Sequence, residues 1–262
     1  MAASILAKDV LYRVSVQLTD APTSAGQFVR WTERELVAWL NDGQRVIATF
    51  LPSACSRIDA IKLVAGSRQS IETILSANIK PGDGSTSADV RGKILMDVVR
   101  NMGSDGLTPG RVIRPVARDV LDQSNPDWHL ETDTTITEYV FDQRTPKYFY
   151  VCPAVPASPS VWVEVSHLVN PTDVAYTADS MRMDGASTVK ISIDDQFVDL
   201  LVNYILARGQ MKEAEAAGNA NIAAAYVNLF TSSINAQALA LTGVNPNLKM
   251  LPMTPQIPGA SS

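Results

Sequence analysis

The sequence reads as an α+β fold: a four-helix bundle built from the two ends of the chain, a small antiparallel β domain inserted between them, and an extended C-terminal arm. Apolar residues recur at helical spacing over about 4–51 and again over 194–242. Between these stretches, over 58–168, the pattern shortens to β-branched and aromatic runs separated by Gly, Pro, Asp and Asn. Farther on, Pro246, Pro252, Pro255 and Pro258 exclude a helix or a central strand from the end of the chain. The units expected are a helical bundle over 1–57 and 190–242, a β-rich insertion over 58–189 and an arm over 243–262.

The first helix, about 4–18, aligns Leu6, Val10, Leu11, Val14 and Leu18 on one stripe. The second opens on a complete start signal: Thr32 as N-cap, Glu35 three residues on to close a capping box, and Trp31 against Leu36 as a hydrophobic staple. It runs to about Leu51, where Pro52 stops it, and faces Leu36, Leu40, Ile47 and Leu51 inward beside Val37 and Phe50. Gly43 weakens its middle by about 1 kcal/mol relative to alanine, so this helix depends on packing. Strands are predicted at 60–64, 94–99, 136–141, 148–151 and 161–165, with a long loop at 80–92. A short helical turn near 118–121 leads to Asn125, Pro126 and Trp128, and 142–146 reads as a hairpin turn in preference to a binding loop. The third helix starts at Asp194 or Asp195, whose carboxylates suit the positive helix end, and carries Phe197, Leu200, Leu201, Tyr204, Ile205, Arg208 and Met211 at helical spacing. Gly218 and Asn219 turn the chain into an alanine-rich fourth helix, about 220–241, with Ile222, Tyr226, Leu229, Phe230, Ile234 and Leu241. Alanines let helix backbones approach closely, so the last two helices are read as an αα-hairpin lying on the first two.

Composition narrows the function classes. With 46% hydrophobic and 19% charged residues, the 262-residue chain can bury a core of ordinary globular size. A formal charge of −5 without a Lys/Arg-rich cluster argues against tight nucleic-acid binding. Charges interleave with the apolar residues of the N-terminus, so it reads neither as a secretory leader nor as a membrane span. Cys55 and Cys152 stand far apart with no N-x-[ST] acceptor in the chain, which points to a reducing compartment.

Sequence support for catalysis is thin. His129 and His167 lie in no ligand-spaced motif. Were 127–133 extended, Asp127, His129, Glu131 and Asp133 would share a face able to hold a divalent ion, or simply a solvated one. The Lys80-to-Ser85 run resembles a phosphate loop only superficially, because Gly84 and Gly92 are too far apart and Ile94 stands where a hydroxyl is required. No G-x-S-x-G surrounds a serine, and both cysteines read as core residues. No cofactor and no catalytic residue is expected.

The proline-punctuated tail carries apolar residues a solvated linker does not need: Leu248, Met250, Leu251, Met253 and Ile257. One reading is an arm that lies extended in a groove on another protein, with these residues as anchors. The other is a frayed chain end.

Several segments, taken in order, resemble the head-to-tail adaptor proteins of tailed bacteriophages: Ala65 and Gly66 with Gln69; Val99, Arg100 and Asn101; Leu121 and Asp122 leading to Asn125, Pro126, Asp127, Trp128 and His129; the run 139–153; and the run 197–204 with Arg208, Lys212 and Glu213. The resemblance spans roughly 31–241. It implies a structural, non-enzymatic virion protein of the neck, assembled in host cytoplasm as a ring of about twelve copies below the portal. Such a ring extends the DNA channel and docks tail or nozzle proteins. Its partners are then the portal protein, the tail and other copies of itself, with no membrane, and the arm grips the portal or a neighbouring subunit. Genomic DNA passes through without specific binding, and an acidic balance suits a channel that must not hold phosphate. Two alternatives stand beside this one: another neck or tail-tube component, and a metal-dependent enzyme using the His129 face.

Overall fold

The computed structural model describes residues 5–20, 30–82, 84, 88–176, 188–212 and 219–243, and the fold below is that of these residues. The expected turn at Gly218, part of the 80–92 loop and the arm beyond Gly243 lie outside them. Helix α1 (Ala7–Gln17) buries Val10, Leu11 and Val14, the stripe expected from spacing. Helix α2 (Glu33–Phe50) starts on the predicted capping box. Thr32 Oγ1 accepts from Glu35 N at 3.3 Å, and Glu35 Oε2 accepts from Thr32 N at 3.2 Å. Leu51 closes α2, and a 3-10 turn follows at Pro52, which cannot continue the helix.

The middle of the chain runs through β1 (Ser56–Lys62), β2 (Gly66–Ser70), β3 (Ile79–Pro81), β4 (Gly92–Asn101), β5 (Arg114–Pro115), α3 (Arg118–Ser124), β6 (Glu138–Phe141), β7 (Tyr148–Val155) and β8 (Trp162–Val169). These strands make two sheets of four, in the orders β3-β1-β8-β4 and β2-β7-β6-β5. All pairings are antiparallel except β5 with β6. Both sheets feed one core, where Ile61, Leu95, Val98, Val163 and Val165 meet Tyr139, Phe149 and Val151. The insertion is therefore larger than the single small sheet expected. Strands β2, β3 and β5, with sequences GSRQS, IKP and RP, carry no alternating apolar signal and are recruited by the free ladder edges of β7, β1 and β6. The 142–146 segment is the predicted hairpin turn: Thr145 N donates to Asp142 O at 2.9 Å, and Pro146 O accepts from Leu95 N at 2.9 Å.

Asp194 accepts from Gln196 N at 3.4 Å and caps a 3-10 turn that leads into α4 (Val198–Lys212), with α5 (Asn219–Gly243) after it. Gly243, expected as the first arm residue, closes α5. The expected four-helix bundle is not what forms. The fold is mixed α+β with five helices and two sheets, and α1, α2 and α5 each pack on α4 as a hub. The reason lies in α4 itself. It buries Val198, Leu200, Leu201, Val202, Ile205, Leu206 and Ala207, apolar on nearly every side, so its neighbours surround it instead of sharing one axis. The fifth helix, α3, belongs to the β region, where Leu121 packs with Trp128, Val140 and Cys152. Val169 at the end of β8 packs against both the helical core and the β core and joins the two.

Candidate functional site

Of the residues singled out for function, the arm anchors Leu248, Met250, Leu251, Met253 and Ile257 all lie outside the described residues. The His129 face does not form. Residues 126–130 are a turn, in which Trp128 N donates to Asn125 O at 3.1 Å and Leu130 N to Asp127 O at 2.8 Å, so the alternating side chains do not share a side. Trp128 drives this by turning inward: its Nε1 donates to Asp122 Oδ1 at 2.9 Å, and its ring meets Tyr150 edge-on. Among the described residues no group of three or more His, Cys, Asp or Glu could hold a metal ion. The lookalike phosphate loop begins inside β3, where Lys80 Nζ donates to Asp105 O and lies over the Trp162 ring.

Both cysteines are buried and free, in separate clusters. Burial pushes the Cys55 thiol up to about 11, with Lys93 only partly opposing it. Burial, Glu138 and Glu131 push Cys152 up as well. Neither is a thiolate at neutral pH, which leaves both without nucleophilic character.

Two of the polar residues that carry the adaptor resemblance, Gln69 and Asn101, prove to be builders of backbone. Gln69 accepts from Val64 N at 2.8 Å and donates to the carbonyls of Val64 and Gly66 at 2.8 and 2.9 Å, closing the turn between β1 and β2. Asn101 donates to the carbonyls of Arg111 and Ile136 and accepts from Ile136 N, at 2.9, 2.8 and 2.9 Å. These are fully satisfied buried amides, each tying two chain segments together.

Sequence reasoning missed a buried pair between β1 and β8. His167 Nε2 and Asp59 Oδ2 are 2.9 Å apart with both side chains essentially inaccessible. Asp59 Oδ1 also accepts from the Arg57 guanidinium at 3.1 Å and from Gly82 N at 3.3 Å. The available signal was an aspartate between Ile58 and Ile61 and a histidine between Val165 and Leu168, ionisable side chains set among apolar strand residues. The network can orient an imidazole, yet its burial keeps any substrate away, so it acts as a cross-strand tie.

Where α2 faces the end of β8 and the start of β4, an open cleft of about 660 Å³ gathers Arg45, Arg57 and Arg91 with Asp89 and Asp173. Arg45 is held by Asp42 at 2.9 Å and by Asp173. Such a lining can form charge-assisted hydrogen bonds to a partner's carboxylate. The surface also exposes large apolar side chains, among them Phe50 and Met96 and, on α5, Ile222, Leu229 and Leu239. These contact features are what the described residues offer.

The family model described as SU10 adaptor protein matches residues 6–247, nearly the whole chain. No curated protein matches it.

Proposed function

We propose a neck-assembly role for this chain, which belongs to the SU10 adaptor protein family: a ring below the portal that extends the DNA channel and docks the tail. The family is one of structural adaptor proteins of the phage head-to-tail junction. The family match over 6–247 supports a neck role, because it takes in both the helical layer and the two-sheet region as one adaptor chain. The formal charge of −5 supports it, since a channel wall without excess cations does not retain the passing phosphates. In this reading the helical unit of 1–57 with 190–242 and the β-rich unit of 58–189 present different faces of the ring, and the arm after α5 reaches the portal or the neighbouring subunit.

Arm attachment rests on Leu248, Met250, Leu251, Met253 and Ile257, spaced among prolines that hold the free segment extended and lower the entropy lost on docking. Each buried anchor contributes about 1.5–3 kcal/mol at most. Deleting 244–262 is expected to leave the melting temperature unchanged, because the described cores are complete without it. The same deletion should weaken attachment to portal rings by more than about tenfold, a loss of 1.4 kcal/mol or more. Replacing Leu248, Leu251, Met253 and Ile257 by serine should act in the same direction. Co-sedimentation with portal rings beside a thermal melt reads both, and unchanged binding by the truncated chain means that the tail is a frayed end.

A further inference from the structure

Helix α5 runs for 25 residues without a single Asp, Glu, Lys or Arg. One of its faces is already used: Ala223 is buried, and Tyr226, Phe230, Ile234 and Ala238 pack on the helical core. On a second side, Ile222, Ala225, Leu229, Ser232, Ala236 and Leu239 follow one another at steps of three and four, and all six are exposed. Ile222, Leu229 and Leu239 are 45%, 48% and 72% exposed. That alternation is the seam by which one helix packs on another, with small residues between larger ones to bring the backbones close. No described helix is long and apolar enough to cross a membrane, so the absence of charge on α5 is not that of a span.

We infer that this second seam of α5 is the surface on which a neighbouring copy of this chain docks in the ring. The inference rests on the ring reading above and names the contact that closes it. Charge selects the occupant. Each copy carries a formal −5, so two copies repel on average as they approach, and a helix without charges is a place where they meet without adding to that cost. Extent agrees. The seam from Ile222 to Leu239 is about 26 Å long, and at a width of about 10 Å it offers about 260 Å² per copy. That is about a third of the roughly 800 Å² per partner a stable interface needs. The contact is thus too small to hold two free copies together and sufficient once another surface already holds them side by side.

The test compares the full-length chain with its I222E/L229E double variant, and with Leu229→Gln as a milder change. Each is titrated onto portal rings, with copies bound counted by sedimentation and the free chain melted in parallel. Unaltered melting is expected, since these side chains are exposed. The parent chain should load cooperatively into complete rings, whereas the variants should load as independent copies, with half-saturation shifted more than about tenfold. Variants that load like the parent overturn the inference. So do variants that no longer reach the portal even as single copies, because the portal is then the occupant. A melting drop that truncation at 243 abolishes also overturns it, by showing that the chain's own arm lies on the seam. Non-cooperative loading by the parent chain itself removes the ring reading first, and the seam assignment with it.

Discussion

Asn101 stands at the end of β4, 7% exposed, and all of its side-chain hydrogen bonds go to main-chain groups of Arg111 and Ile136. Ile136 is fully buried, so its N–H has no water to turn to once that amide is gone. Leaving a buried donor or acceptor without a partner costs about 1–3 kcal/mol, and Asn101→Ala strands more than one. The variant is expected to lose at least about 2 kcal/mol in a urea melt. A loss below about 0.5 kcal/mol means that the loop carrying Ile136 relaxes to satisfy itself. Gln69 acts in the same manner at the β1–β2 turn, whereas Trp128 ties the segment after α3 to that helix through the Asp122 side chain. Motif residues that look like a binding signature in a linear string are, in three dimensions, the ties of an irregular β region.

Helix α2 shows how an element's own preference yields to its neighbour. Gly43 lowers intrinsic helicity by about 1 kcal/mol relative to alanine. Its place in the fold explains why it stands there: a Cβ at this position would lie 2.6 Å from Leu201 Cδ1 and 2.9 Å from Tyr204 Cδ1 of α4. Leu201 is fully buried and has no room to swing away. Overpacking costs about 1–3 kcal/mol and exceeds the propensity gain, so Gly43→Ala is expected to lower stability by up to about 2 kcal/mol. A thermal melt decides the sign, and a rise in melting temperature would show that α4 shifts to accept the methyl. The start of α2 is fixed locally by its capping box, and an ion pair of Glu35 with Lys212 of α4 at 2.6 Å adds a tertiary tie. Lys212, then Thr32, hold the Glu35 carboxyl below its usual range.

For the whole molecule, two cores joined through Val169 let one chain fold alone, whereas the exposed α5 seam is too small to bind a second copy firmly. The isolated protein is therefore expected to be a monomer or small oligomer across micromolar concentrations, and to close into rings only on a portal. Light scattering followed by imaging with portal reads this, and a stable two-fold dimer that refuses portal contradicts it.

What the sequence determined by itself is what short-range chemistry controls. The Thr32–Glu35 box, the Pro52 stop, the Asp194 cap and the 142–146 turn each involve residues a few positions apart, and each is where spacing places it. The long apolar runs of β4, β7 and β8 were equally legible, and the ordered motifs sufficed to suggest the adaptor family. The tertiary structure alone decided the rest. β2, β3 and β5 have no pattern of their own and exist because a partner strand offers hydrogen bonds. The pairing of His167 with Asp59 joins residues 108 positions apart, beyond the reach of any spacing rule. The hub role of α4 follows from burial on several sides at once, and the seam on α5 became visible only when packing against α4 had accounted for its other face. Periodicity tells which residues are apolar together, and only the assembled fold tells which of them remain without a partner.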